Sequence, residues 1–191
     1  MRRLVAPVFA GLFAALAAGC ASSAPEVSPA LEQPARTAWI VGRDGRAIGQ
    51  AQFTEAPTGV LIRMEFSPGA LEPGWHGLHL HTRGDCSDFA AGFQASGGHL
   101  GMREGVAHGL RNAEGPEAGD LPNIMAGPGP FGAEMFSPYV TLHSAEVNGR
   151  APLMDGDGTA LMIHAAADDH QTQPIGGAGA RVACAAFTPL P

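Results

Sequence analysis

The sequence contains no lysine and few aromatic residues. All 11 basic residues among its 191 positions are arginines, and 18 acidic residues bring the formal net charge to −7. Aromatic residues make up only 6% of the chain. An acidic chain without clusters of basic residues lacks the positive surface that binds nucleic acid. We therefore expect no nucleic-acid partner.

The chain also lacks an apolar run long enough to span a membrane. Its longest such run, residues 4–18, has 15 residues, whereas a spanning helix needs about 20. Arg2 and Arg3 precede this run, and small residues follow it up to Cys20. A positive start, a short apolar run and small residues are typical of an export signal. Residues 16–20 (LAAGC) resemble the lipobox of bacterial lipoproteins, in which the cysteine becomes the lipidated first residue. An ordinary secretory signal cleaved nearby is the alternative.

These features predict three parts of the chain. They are a lipoprotein signal peptide at 1–19, a lipid-anchored tether rich in proline and serine at 20–36, and a folded domain at 37–191. Acyl chains on Cys20 would hold the protein at a membrane surface without spanning it. We expect a position in the cell envelope facing the periplasm, with the outer membrane favoured because the uncharged Ala21 follows the cysteine. Signal removal leaves nine basic and 18 acidic residues, a formal charge of −9.

The number of cysteines is small and odd. After Cys20 is assigned to the anchor, Cys86 and Cys184 remain. An oxidising compartment outside the cytoplasm favours a disulfide between them. Two independent buried thiols are the alternative.

No segment after residue 37 has a convincing helical period, and 27 glycines and 16 prolines punctuate the chain. Short alternating segments separated by turns indicate an all-β antiparallel sandwich or barrel. Two connections, 82–120 and 165–180, are long, and loops of that length in a compact domain are usually functional. We predict eight strands: Ala38–Val41, Ala47–Thr54, Gly59–Ser67, Gly77–His81, Leu121–Met125, Ala133–Leu142, Gly158–His164 and Arg181–Phe187.

Eight histidines are many for a chain of this length. His79 and His81 stand two residues apart on a predicted strand, so both imidazoles project from one face. His99, His108 and Asp120 follow in the long connection, and one further histidine, His164, ends a later predicted strand. Imidazole suits copper and zinc, and a carboxylate can complete a zinc site. The pattern therefore predicts a metal site at the loop-covered end of these strands.

At these positions the chain resembles the copper/zinc superoxide dismutases, in their bacterial form. The similarity covers roughly residues 38–188. It implies an eight-stranded Greek-key β-barrel, an immunoglobulin-like sandwich, with two long functional loops. The matching segments are 76–81 (HGLHLH), 84–86 (GDC), 96–99 (SGGH), 119–123 (GDLPN), 161–164 (LMIH) with Asp168 after it, and 177–184 (GAGARVAC).

The resemblance implies a role for each matched residue. His79, His81 and His164 would bind copper, and His99 would bridge copper to zinc. His108 and Asp120 would bind zinc, and Asp168 would link a copper histidine to a zinc histidine. The resemblance also implies a Cys86–Cys184 disulfide and an active-site arginine, Arg181, that docks the anionic substrate. His76 would be structural, and His143 and His170 would be exposed loop residues.

Glu117 stands where this family usually has its third zinc histidine. A carboxylate can bind zinc, so Glu117 could complete the zinc set, or it could turn outward and leave that site weak or empty. The resemblance implies disproportionation of superoxide to dioxygen and hydrogen peroxide by a redox-cycling copper, protecting the cell envelope from oxidative damage. The alternatives are a copper-binding or copper-buffering protein on the same scaffold and a structural sandwich module. A homodimer is a candidate assembly.

Overall fold

The computed structural model describes residues 35–101 and 105–189. The predicted signal peptide, Cys20 and the tether up to residue 34 lie outside these residues. Two short 3₁₀ turns occur, and no helix in the described part is long and apolar enough to cross a membrane. The strands are β1 (Ala35–Gly42), β2 (Ala47–Ala56), β3 (Gly59–Phe66), β4 (Gly74–His81), β5 (Asp120–Ala126), β6 (Phe131–Ser137), β7 (Val140–Thr141), β8 (Ala151–Pro152), β9 (Thr159–His164) and β10 (Arg181–Phe187).

Eight of these strands form one antiparallel sheet in the order β5-β4-β9-β10-β1-β2-β3-β6, and β7 and β8 pair separately. The chain crosses from β3 to β4, pairs β4 with β5 after a long connection, and returns to place β6 beside β3. This crossing and return is a Greek key. The end strands β5 and β6 approach each other, so the sheet is a nearly closed barrel. The predicted all-β fold class is confirmed.

The predicted strands overlap every observed strand except β8, and their bounds differ in several places. The segment predicted as a single strand at Ala133–Leu142 is divided into β6 and the short β7. Pro138 lies at the division, and proline has no N–H for a ladder hydrogen bond. β4 is longer than predicted because it begins at Gly74, where Trp75 pairs with Met125 of β5.

The barrel interior fixes which side chains of β4 and β9 face outward. Leu78 and Leu80 alternate with His79 and His81, and the leucines belong to the main apolar core. Strand side chains alternate between faces, so these histidines point away from the barrel interior. They are nevertheless completely buried. Something outside the sheet must cover them.

The cover is the long connection after β4. Its Phe93 is fully buried and packs with Ala160, Met162 and Cys184 in a second apolar cluster on the outer face of β9 and β10. The disulfide between Cys86 and Cys184 fastens the same connection to β10. The site is therefore built between the outside of the sheet and its two long loops.

Candidate metal centre

Strand pairing places the predicted ligands side by side. His79 of β4 is opposite Asp120 of β5 and also opposite Met162 of β9. His81 forms an isolated bridge with His99 of the long connection. His164 ends β9 opposite Arg181. His79 and Arg181, which are 102 positions apart in sequence, thus lie at the same patch of the sheet.

Four imidazoles form the first group: His79, His81, His99 and His164. They are all buried, and one ligand atom from each lies within 4.8 Å of the others. Four of their ring nitrogens are buried and have no hydrogen-bond partner within the described residues. These atoms are Nδ1 of His79 and Nε2 of His81, His99 and His164.

The other nitrogen of each ring has a partner that fixes the ring. Nε2 of His79 lies 2.9 Å from Oδ2 of Asp168, and Nδ1 of His99 lies 2.8 Å from Oε2 of Glu117. Nδ1 of His81 and Nδ1 of His164 donate to the carbonyl oxygens of Gly97 and Gly179, at 2.9 and 3.0 Å. A ring that donates through one nitrogen keeps a free lone pair on the other.

Burial keeps three of these imidazoles, those of His79, His81 and His164, neutral. Desolvation lowers the pKa of His81 to about 2 and that of His164 to about 3, and the positive Arg181 acts in the same direction. Desolvation also lowers the pKa of His79. Four imidazoles that each aim a buried, unpartnered nitrogen at one point are a donor set that copper accepts, so the residues present fit a copper ion.

The second group contains two imidazoles and two carboxylates. Nδ1 of His108 lies 2.7 Å from Oδ1 of Asp120 and 3.6 Å from Oε2 of Glu117. Nδ1 of His99 lies 2.8 Å from Oε2 of Glu117 and 3.8 Å from Oδ1 of Asp120. Neighbouring ligands of a tetrahedral zinc ion are ~3.3 Å apart for bonds of ~2.0 Å. These four distances, from 2.7 to 3.8 Å, lie on either side of the spacing that zinc requires.

Distance alone would also group His79 with His99, His108 and Asp120. We assign His79 to the first group, because its Nε2 is bonded to Asp168 and its Nδ1 is the unpartnered atom. Only His99 contributes to both groups, with Nε2 in the first and Nδ1 in the second.

Charge compensation explains why two buried carboxylates are tolerated. Burial opposes the charge on His108, but hydrogen bonds to Asp120, Asp168 and Glu117 raise its pKa to about 11. Burial likewise opposes ionisation of Glu117, but hydrogen bonds from His108 and His99 lower its pKa to about 2. Without metal, the second group is thus a buried ion cluster, and a divalent cation would replace its protons.

Asp168 lies between the two groups. Its Oδ2 is 2.9 Å from Nε2 of His79 and 3.1 Å from Nε2 of His108. Gly77, in the bulge of β4, permits this approach, because a Cβ there would stand 3.2 Å from Cβ of Asp168 and 2.9 Å from Cβ of Ala178. Asp168 therefore contacts one histidine of each group.

Arg181 begins β10 beside the first group and is partly buried. Its guanidinium donates to the carbonyl oxygens of Phe93 and Gly97, each at 2.8 Å, and to Oγ of Ser96 at 3.3 Å. The same Gly97 carbonyl accepts from His81. No carboxylate within the described residues forms a salt bridge with Arg181, so its charge remains available to an anion.

Three further histidines take different positions. His76 is buried, and its ring nitrogens lie 2.6 and 2.8 Å from the carbonyl oxygens of His164 and Glu72, contacts that suit a structural role. His143 is exposed. The expectation that His170 is an exposed loop residue is wrong, because its ring is only 17% exposed and Nδ1 lies 3.4 Å from Oδ2 of Asp168.

Sequence reasoning also missed Asn123. Its Oδ1 accepts from the backbone N–H of Asp168 at 2.9 Å, and its Nδ2 donates to the Asp168 carbonyl at 2.8 Å. An amide that pairs with both backbone groups of one residue fixes that residue's position. The only signal was the position of Asn123, three residues after Asp120.

Comparisons with known proteins agree with this geometry. The sequence profile of the family described as copper/zinc superoxide dismutase (SODC) matches residues 47–187. The chain is 46% identical over 149 residues to the superoxide dismutase [Cu-Zn] of Caulobacter vibrioides, covering 78% of this chain and 82% of that protein. It is 38% identical over 146 residues to superoxide dismutase [Cu-Zn] 2 of Aquifex aeolicus, with coverages of 76% and 81%. A crystal structure of a superoxide dismutase-like protein from Bacillus subtilis superposes with a TM-score of 0.69 at 31% identity, covering 78% and 96% of the two chains.

Proposed function

The chain belongs to the copper/zinc superoxide dismutase family, and we propose that it disproportionates superoxide into dioxygen and hydrogen peroxide. One observation carries the proposal. The buried nitrogens without partners on His79, His81, His99 and His164 converge beside Arg181. A storage site for copper would not need the adjacent cation.

We assign copper to the first group and zinc to the second, which consists of His99, His108, Glu117 and Asp120. When bound, copper supplies the one-electron oxidation and reduction, and zinc supplies a fixed positive charge on the far side of His99. Glu117 is buried and faces His99 and His108. The copper-buffering alternative depended on Glu117 turning outward, and this inward position does not favour it.

Formation of hydrogen peroxide from superoxide takes up protons, and His99 is the residue suited to deliver one of them. Its Nδ1 belongs to the zinc set, 2.8 Å from Oε2 of Glu117, while Nε2 is buried and has no partner within the described residues. Nε2 can therefore accept a proton and later donate it to the reduced product, while Nδ1 keeps the ring in place. Proton transfer by a positioned imidazole contributes to many enzymatic reactions.

Arg181 is the residue suited to dock the substrate. Desolvation lowers its pKa from the ordinary arginine value, with Asp88 acting in the opposite direction, and a guanidinium remains charged at neutral pH. Superoxide is an anion, and the net charge of the protein is negative. Because salt screens exposed charges beyond ~8 Å, a local cation beside the first group decides the final approach.

We also propose that Cys20 is lipidated and anchors the protein in the cell envelope, facing the periplasm, with the outer membrane favoured. The motif at residues 16–20 supports this proposal. Labelling cells with a radioactive fatty acid should label the wild type, and Cys20→Ala should lose both the label and the membrane fraction. Absence of the label from the wild type would contradict lipidation of Cys20 and favour an ordinary secretory signal.

A homodimer remains a proposal, and its contact surface would be the exposed pair on β4 and β5. Trp75 and Met125 are cross-strand neighbours, 54% and 52% exposed, and β5 is an end strand of the sheet. Sedimentation of a chain without the signal peptide should give twice the monomer mass, and Trp75→Ser should give the monomer. A monomeric wild type would contradict the proposal.

The dismutase proposal is tested with protein loaded with both metals. Elemental analysis should find one copper and one zinc per chain, and the protein should consume superoxide in a direct assay. His164→Ala should lose copper and activity, while His143→Ala, an exposed histidine outside both groups, should change neither. Bound copper without turnover would contradict the proposal and support copper buffering.

A further inference from the structure

His170 makes two contacts with Asp168. Its backbone N–H donates to Oδ1 of Asp168 at 2.6 Å. Its ring Nδ1 is buried, makes no hydrogen bond within the described residues, and lies 3.4 Å from Oδ2 of Asp168, within ion-pair distance. Asp168 in turn contacts His79 and His108, one from each group. His170 is therefore a third imidazole on the carboxylate that connects the two groups.

Asn123 determines which ring nitrogen of His170 carries the proton. The side-chain oxygen Oδ1 of Asn123 accepts from the backbone N–H of Asp168, which fixes the orientation of the amide. The amide nitrogen Nδ2 therefore faces His170 and lies 3.2 Å from Nε2 of its ring. An amide nitrogen only donates, so Nε2 of His170 accepts. The ring proton is then on Nδ1, the atom that faces Asp168.

The backbone of His170 is held in an uncommon conformation. Its φ is +60°, in the left-handed region, which few residues other than glycine adopt and which is typical of functional sites. Its carbonyl accepts from the N–H of Arg111 at 3.0 Å. A Cβ on Gly109 would overlap the same carbonyl. The segment that carries His108 therefore packs directly against His170.

We propose that His170 is a positioning residue that holds Asp168 against His108 and thereby sets how tightly the second site retains zinc. This inference rests on the assignment of zinc to His108. Partners in the outer shell of a metal site fix the orientation of its ligands, and their removal costs about 10-fold to 100-fold in metal affinity. His170 acts through Asp168 and does not itself reach the zinc set.

His170→Gly tests the ring separately from the backbone. Glycine adopts φ +60° without strain, so this variant removes the imidazole while it keeps the chain path. In metal-free protein titrated with Zn²⁺ against a competing chelator, we expect zinc affinity to fall several-fold, less than the roughly 10-fold to 100-fold that loss of the direct partner Asp168 would cost. His143→Gly, the exposed control, should match the wild type in affinity. Zinc affinity of His170→Gly equal to that of the wild type would overturn the proposal.

A second measurement needs no metal. Long-range ¹H–¹⁵N correlation spectra of the metal-free wild type should show the His170 proton on Nδ1, and Asn123→Ala should abolish this preference. A proton on Nε2 would overturn the proposal even if the protein is an active dismutase. The predicted tautomer together with a wild type that binds no zinc would instead refute the zinc assignment, and with it the role of His170 in zinc retention.

Discussion

Oε2 of Glu117 lies 2.8 Å from Nδ1 of His99, and both side chains are almost completely buried. A buried carboxylate is stable only when it is paired with a positive group or a metal. The position is one at which this family usually has a histidine. With two carboxylates, Glu117 and Asp120, the zinc set balances both charges of a Zn²⁺ ion, whereas a set with three imidazoles and one carboxylate would leave a net positive charge.

Replacement of Glu117 by alanine should disable the zinc site while it spares copper. Loss of a direct ligand should weaken zinc binding at least about 100-fold, because loss of outer-shell partners already costs about 10-fold to 100-fold. Chelator competition measures this affinity, and elemental analysis measures the copper that remains on the four imidazoles. Glu114→Ala, an exposed carboxylate in the same segment, is the control. Unchanged zinc affinity in Glu117→Ala would show that Glu117 is not a ligand.

Removal of the cation at Arg181 should slow substrate capture. We expect Arg181→Ala to lower the second-order rate constant at least about 10-fold and to flatten its dependence on ionic strength, because local cations raise association rates by about 10-fold to 1,000-fold. Arg181→Lys should retain much of the salt dependence. Arg63→Ala removes the same charge from β3, where Arg63 pairs with Glu134 at 2.6 Å, and should leave the rate near that of the wild type. A salt dependence that persists in Arg181→Ala would exclude this role.

The fold and the first group could be predicted from the sequence because local patterns encode them. Alternation on β4 places His79 and His81 on one face, and turns rich in glycine and proline separate the strands. β6 and β7 were merged in the prediction because their alternation continues through Pro138, where the ladder is broken.

The contacts of Glu117 and His170 could not be predicted in the same way. Both residues lie in long loops, whose paths depend on contacts between distant segments rather than on a local period. Glu117 turns inward because its N–H, at 2.9 Å, donates to the carboxylate of Asp120. His170 turns inward because Asn123 of β5 holds Asp168 beside it, and nothing in the residues around His170 encodes that contact.

Loss of the disulfide should destabilise the protein without changing its metal ligands. Cys86 and Cys184 are 98 residues apart in sequence, and closure of a loop of about 100 residues stabilises a fold by about 4–5 kcal/mol in the chain-entropy description. The double variant Cys86→Ser/Cys184→Ser should therefore unfold at a lower temperature, by about 10 °C for a domain of this size. Calorimetry with and without a reductant measures this change. In the presence of the reductant, the wild type should unfold at the temperature of the double variant. An unfolding temperature that does not change although the disulfide has been reduced would contradict the expectation.

We expect the metal-free protein to lose stability as the pH falls below about 6.5, which is the pKa of histidine in an unfolded chain. Burial lowers the pKa of His81 to about 2 and of His164 to about 3, whereas both have a pKa near 6.5 when unfolded. Their contribution is fully present above pH 6.5 and is lost as the pH falls towards 3, because the unfolded chain binds the protons first. Each should lower the free energy of unfolding by up to about 1.4 kcal/mol per pH unit. The pKa of His108 is raised to about 11, so His108 acts in the opposite sense. Its contribution to the free energy of unfolding is lost as the pH rises from 6.5 to 11. Urea unfolding of metal-free protein should therefore give maximal stability near neutral pH.

His81→Gln should flatten the acid side of this stability profile, while His143→Gln should not. A loss of stability that begins only below pH 4.5 would show that carboxylates rather than these histidines control it.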